Sequence, residues 1–460
     1  MKARIVIIVI GLVLIVAAGM GIIAWNSKPQ LIDVYPQSGA VNAPATTLMR
    51  LVFSHAMNRE TVNARLKIEP VIEGTFSWEA NILTFTPSKP WPGGKEINLI
   101  LEAGARASSW LSFPMDGQSW SFTTSKAALA YLWPSYGNAD IYSLDPETGE
   151  IRQFTHGMGV LDYSTSSDGM VFYFAAGNSQ GGTDLYRLDA AKLEDSADSS
   201  YQPETLLVCG SAQCRSPAVS YDERYLAYEY IVPTLSGDSS PAQIWMLNLT
   251  SLETLSIGQA SHETVQPSWS PTGLLAYYDR TNSGYQVINP ATQERVQLAN
   301  QTGQPGAWST SGEFYLASEI AYIRAAGGTE RGISHLIRYD VQNQTTEDMS
   351  GENEVEDVEA SYSLDGKSII FARKFLDAEH WTFGRQVWIM NADGSNPHPI
   401  TDEADYNHYD LAWSRDGSQF AYVRFNQAKL SDPPELWMVN TDGSNAVQLV
   451  IGGYSPTWIP

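Results

Sequence analysis

The side chains best suited to chemistry in this 460-residue chain lie in two stretches, "DAEHWTFGR" at 377–385 and "DEADYNHYD" at 402–410. His380 and Trp381 stand in the first; Asp405, Tyr406, His408, Tyr409 and Asp410 stand in the second. Aromatic faces beside carboxylates stack on sugar rings and attract cations, so the pattern is one of recognition. Catalysis has weaker support. The His-Glu-x-x-His zinc motif does not occur, and a glycosidase would need two carboxylates facing each other across a cleft. Acids are plentiful but nothing marks such a pair, so no catalytic residue is assigned. No metal site or cofactor is assigned either. "GENEVEDVE" at 351–359 holds five acids; it lacks the fixed spacing of a calcium loop and reads as a solvated charged run. His55 and Met57, in "FSHAM", read as structural.

Composition limits what could carry these residues. With 28 basic and 51 acidic side chains the net charge is −23. Such a chain repels phosphate backbones, which argues against a nucleic-acid partner. Only 17% of residues are charged, while Trp (14) and Tyr (23) are abundant, the reverse of a disordered composition. Aromatic, β-branched runs punctuated by Gly, Pro, Asn and Asp predict an all-β protein. Cys209 and Cys214 are the only cysteines. In an oxidising compartment so close a pair can form a disulfide; two buried thiols are the alternative.

The first segment predicts a membrane anchor. Lys2 and Arg4 are followed by an uncharged run from Ile5 to Trp25. As a helix rising about 1.5 Å per residue it would span about 30 Å, a bilayer core. Residues 1–27 are thus expected to be a single-pass transmembrane helix with a cytoplasmic N-terminus. The bulk would then be extracytoplasmic, in the periplasm or at the cell surface. A cleaved signal peptide is the alternative.

Residues 28–125 read as one β-sandwich. "TLMRLVFS", "ILTFTP", "EINLILEA" and "QSWSFTT" alternate apolar and polar residues, and Pro/Gly clusters separate them. "YPQSGAVNAPATTLMRLVFSHAMNRETV", "LTFTPSKPWPGG" and the closing "WSFTT" resemble a bacterial Ig-like domain of the SbsA type. That resemblance implies a spacer or adhesive module.

From 127 to 460 the text is periodic. Variants of one strand recur from "DIYSLD" at 140, through "QIWMLN" at 243 and "QVWIMN" at 386, to "ELWMVN" at 435, seven in number. Each has a strand before it and a turn with a short strand after it. A fourth, leading strand carries Ser166, Ser220, Ser270, Ser309, Ser363 or Ser414 in six units. In the remaining unit it is missing from the front, and "YSPTWIP" at 454–460 supplies its match. Four antiparallel strands repeated seven times predict a seven-bladed β-propeller closed by a split blade, with six or eight blades as alternatives. Trp269, Trp308, Tyr362, Trp413 and Trp458 are expected to pack between blades, and the small residues to crowd the axis. "SYDER" lacks the usual Gly after Asp222, so a different turn is expected there. The stretches "WSPTG", "YSLDG" and "WSRDG", each followed by an apolar strand and then "IWMLN" or "VWIMNADG", resemble TolB-like, WD-repeat-like propellers. Those are usually described with six blades.

In an antiparallel blade the links from second to third strand and from blade to blade share one face. Here they are the long ones, and binding usually resides on such loops. The expected function is a membrane-anchored extracytoplasmic binding or scaffold protein that engages a protein, peptide or glycan of the cell envelope. The alternative is a glycan-active hydrolase or lyase using acidic residues at the propeller channel.

Overall fold

The computed structural model describes residues 28–41, 43, 47–88, 91–109, 112–124, 126–195, 202–234, 239–324, 330–351 and 354–460. The expected anchor, 1–27, lies outside them. Among the described residues no helix is long and apolar enough to cross a membrane. The chain divides into two compact units, Met1–Lys126 and Ala127–Pro460.

The first unit packs two antiparallel sheets. One orders Leu31–Tyr35, Met49–Phe53, Ile82–Pro87 and Gly74–Glu79; the other orders Leu66–Glu69, Glu96–Leu101 and Gln118–Thr123. Alternation along the strands turns Met49, Leu51, Phe53, Leu83, Phe85, Ile97, Leu99, Leu101 and Phe122 into one core. Trp91 fills its centre and ties its indole N–H to Thr47 O at 2.8 Å. Met57 is buried in that core. His55 Nδ1 meets Ser54 Oγ at 2.7 Å.

The second unit is propeller-like. Among the described residues it forms seven four-stranded antiparallel groups. The first joins Ala128–Trp133, Asp140–Leu144 and Ile151–Gln153 to Tyr454–Ile459. The next six follow in chain order, with leading strands Val160–Thr165, Gln213–Val219, Thr264–Trp269, Ala307–Trp308, Val355–Tyr362 and Tyr406–Trp413. A one-residue parallel bridge, Thr183 to Gln213, links the second sheet to the third. Tyr454–Ile459 pairs with the first sheet, Trp458 opposite Leu129 and Thr457 opposite Ala130. Core clusters join each sheet to the next, and Leu129 and Trp458 of the first share one with Ala421, Val423 and Leu436 of the seventh.

The recurring serines have a different task from crowding an axis. Each closes the turn between first and second strands. Ser166 Oγ donates to Asp168 at 2.6 Å and accepts Val171 N–H at 2.9 Å; Ser220, Ser363 and Ser414 do the same with Asp222, Asp365 and Asp416. The expected change of turn at Asp222 does not occur. Glu223 takes φ 55°, where the equivalent turns place Gly169 at 78° and Gly366 at 69°. Its N–H reaches Ser220 O at 2.9 Å, as Gly366 N–H reaches Ser363 O. The serine–aspartate clamp imposes the left-handed geometry on a residue that does not favour it.

Aromatic side chains fasten neighbouring sheets. Trp269, Trp308, Trp413 and Trp458 each donate their indole N–H to the preceding sheet's leading strand, at Ala218, Ser268, Ser361 and Ala412 O, over 2.9–3.2 Å. Tyr163 Oη donates to Ser455 O at 2.6 Å. Each ring is thus an apolar filler with one satisfied polar atom. Trp458→Ala removes both, together with the last strand's grip. It should destabilise the protein by about 3–5 kcal/mol, read as a clear fall in melting temperature; an unchanged temperature would refute the role of this strand.

Candidate functional site

The links from second to third strands gather on one face with the links between sheets. Phe383 N donates to Ala404 O at 2.9 Å, and Gln427 N to Asp405 O at 2.8 Å. Large apolar side chains stand exposed along it: Trp133, Tyr136, Val232, Tyr322, Trp381, Phe383 and Leu430. The densest group is in the link of the sixth sheet. Asp377 Oδ1 accepts Glu379 N, His380 N and His380 Nδ1 at 2.9–3.0 Å, which holds the loop in a tight turn. Those bonds keep the Asp377 carboxyl below its ordinary range against the opposing effect of burial. The turn presents Trp381, 48% exposed, edge-on to Phe383, 52% exposed, with ring centroids 5.0 Å apart. Lys374 Nζ sits 4.8 Å from the Trp381 ring centre and donates to Phe383 O at 3.1 Å.

The second stretch is divided between surface and interior. Asp405 is exposed. Tyr406 is covered by a cation of its own chain: Arg424 lies 4.1 Å from the Tyr406 ring centre and 3.9 Å from that of Trp437. Arg424 also pairs with Glu403, and with Glu435 at 2.9 Å. His408 is fully buried, its ring nitrogens facing Arg385 O at 2.7 Å and Glu403 Oε2 at 3.0 Å. His408 and Arg424 hold the Glu403 carboxyl down at about 2. The cation–π chemistry read from the sequence is present, but the cation is internal. His408 is therefore not available to a partner. Tyr409 is half-buried against Phe425, and burial pushes its phenol up.

Asp410 belongs to a feature that motif reasoning missed. Six leading strands carry a β-bulge, among them those at Val358/Ser361, Tyr409/Ala412 and Tyr454/Thr457. Ser216, Gln266, Glu359, Asp410 and Ser455 take φ of 50–58° there. Bulge N–H groups reach carboxylates of the preceding sheet: Ser216 to Asp162 at 2.7 Å, Gln266 to Glu229 at 2.8 Å, Asp410 to Glu359 at 2.8 Å and Ser455 to Asp410 at 3.1 Å. Burial raises Asp162 to about 6 and Glu359 to about 7, and raises Asp410 as well. Asp162 Oδ1 is buried without a hydrogen-bond partner. A signal was there to be read: Asp162, Ser216, Gln266, Glu359 and Asp410 each stand four residues before a turn serine.

The acidic run at 351–359 is largely turned inward. Asp357 forms a buried two-bond pair with Arg373 at 2.6 and 2.7 Å, Glu356 meets Arg385 at 3.4 Å, and Glu359 serves Asp410. Residues 352–353 lie outside the described set. Among the described residues no group of three or more His, Cys, Asp or Glu is placed to hold a metal ion. Cys209, in the link between the second and third sheets, forms a disulfide with Cys214 at the start of the third sheet's leading strand, Cα–Cα 6.3 Å. The sequence also holds a Gly-x-Ser-x-Gly string at Gly177–Gly181. It occupies a hairpin link in which Asn178 N donates to Gly182 O at 3.0 Å, with no helix following Ser179, so the strand–turn–helix of a nucleophile elbow is absent there.

Residues 26–124 match the family model of the bacterial Ig-like domain, Big_5. No curated protein matches the chain in sequence. In fold it is similar to the putative TolB from Agrobacterium tumefaciens, with 18% identity over 72% of this chain and 91% of that one, TM-score 0.39. It is similar also to TolB from Acinetobacter baumannii (14%, 73% and 83%, TM-score 0.41) and to an oligogalacturonate lyase in complex with manganese (15%, 64% and 73%, TM-score 0.41).

The raised carboxyls set a pH dependence. A carboxyl whose folded pKa exceeds its unfolded one stabilises the fold when protonated, and that stability is lost as pH rises through the folded value. For Glu359 and Asp162 the loss falls between about pH 5 and 8. The depressed Glu403 does not contribute in that window, since its stability is lost only on acidification below its unfolded range. Melting temperature should therefore rise from pH 8 to pH 5, and Glu359→Gln should flatten that slope. An identical slope in the variant would exclude the assignment.

Proposed function

We propose that this is an envelope binding or scaffold protein. In this reading residues 1–27 anchor it in the membrane and the bulk lies outside the cytoplasm. The second unit would be a seven-bladed propeller closed by the strand 454–459. Support for the anchor is the uncharged run Ile5–Trp25 after Lys2 and Arg4. Support for closure is the pairing of Trp458 with Leu129. One observation carries the binding role: the Trp381–Phe383 pair, held open to solvent under Lys374 by a loop pinned at Asp377. Exposed aromatics fixed in a rigid frame contribute contact area at little entropic cost, which suits a protein, peptide or glycan partner.

A second reading, a glycan-active hydrolase or lyase, rests on Glu359 and Asp410. They are adjacent through the Asp410 N–Glu359 bond, and the first is raised to about 7, within reach of general-acid work. The double variant Trp381→Ala/Phe383→Ala separates the two. Both side chains are half-exposed, so melting temperature should hold while capture of envelope components on the immobilised protein falls at least severalfold. Retained capture would remove the binding reading. Glycan turnover by the parent protein that disappears in Glu359→Gln would put the enzyme in its place.

A further inference from the structure

On the opposite face, where the turns are tight, a cavity of about 580 Å³ opens between the fourth and fifth sheets. Its floor is apolar, made by Leu274, Val287, Val296, Phe314 and Val341. Val287 and Val341 belong to the core shared by these sheets, so the cavity continues that core outward. Its walls bring three carboxylates, Glu294, Glu313 and Asp340, and no lysine, arginine or histidine. Asp340 is kept ionised by Asn343, whose backbone and side-chain N–H groups donate to it at 2.8 and 2.9 Å and lower its pKa. The cations nearest in sequence are engaged by other groups, although Arg338 lies 5.0 Å from the ring centre of the floor residue Phe314. Arg295 donates to Tyr277 Oη at 3.2 Å and to Ile257 O at 2.9 Å. Arg338 donates to Ala392 O of the sixth sheet at 2.9 Å and pairs with Glu347.

We propose that this cavity binds a small apolar amine, its aryl or alkyl body against the inter-sheet core and its ammonium group among the three carboxylates. The volume falls within the roughly 300–1,000 Å³ of small-molecule sites, and an apolar lining with a few polar groups of one sign is the composition such sites show. Charge complementarity selects the cation, because an ammonium group is attracted by three carboxylates of one sign, a neutral body gains nothing from them and an anion would be repelled. The repeat alone does not generate the site. The comparable cavity between the sixth and seventh sheets, lined by Trp413 and His398 among others, measures only about 220 Å³.

The test compares 4-phenylbutylamine with 4-phenylbutan-1-ol, and a short panel of alkyl and aryl amines with their alcohols, by titration calorimetry on the full-length protein. Amines should bind at least about tenfold more tightly than their alcohols. The variant Glu294→Gln/Glu313→Gln changes two exposed side chains and should bring the amine down to the alcohol's level at unchanged melting temperature. Val296→Phe keeps every charge but fills the floor, and should weaken amine and alcohol alike. Equal binding of amine and alcohol, absence of amine binding across the panel at millimolar concentration, or full amine binding by Val296→Phe each overturns the site. The last result would mark diffuse attraction to an acidic chain.

Discussion

The antiparallel seam between Tyr454–Ile459 and Ala128–Trp133 is the contact on which the second unit depends. It joins residues separated by more than three hundred positions, so its loop-closure entropy is among the largest in the fold. What offsets that cost is concentrated in few atoms. Backbone pairs run along the seam, the Trp458 ring enters a core with Leu436 and Ala421, and its N–H is satisfied at Ala412 O. Tyr163 Oη and Asp410 Oδ2 hold the two sides of Ser455. Without the seam, Ala128–Trp133 would present an unpaired edge.

The same devices recur between the other sheets, which is why one seam can stand for all. An indole or phenol closes each of several junctions by an N–H or O–H bond to the preceding strand. A bulge N–H meets a carboxylate at four of them. Turn serines make the opposite ends uniform and tight. Apart from the link between Asp189 and Glu204, which holds the short helix Ala190–Asp195, the long links lie on one face, and that face carries Trp381, Phe383, Tyr322 and Leu430. The exposed aromatic side chains and the serine-closed turns thereby stand at opposite ends of the same strands.

Much of this was legible in the sequence, because strand period and turn chemistry are local. The third strands from "DIYSLD" to "ELWMVN" fall where the structure has Asp140–Leu144 to Glu435–Asn440, and "YSPTWIP" pairs where its resemblance to a leading strand put it. The site was legible only in part, because burial is not a local property. His380 and Trp381 are exposed, but His408 and Tyr406, two and four residues from Asp410, are taken up by Glu403 and Arg424 from other parts of the seventh repeat. Asp410 was singled out, and Glu359 lay in the acidic run, but the role they share with Asp162 at the bulges escaped because no motif names it. Their only mark is a constant distance from the turn serine, and its meaning depends on a neighbour one repeat away.

Hydrogen exchange followed by mass spectrometry on the full-length protein addresses the seam most directly. Amides of 454–459 should be protected as strongly as those of Val171–Gly177, a buried second strand, and should open only with the unit as a whole. Exchange of 454–459 at the rate of an exposed loop, with Val171–Gly177 still protected, would show that the last strand is not held against Ala128–Trp133.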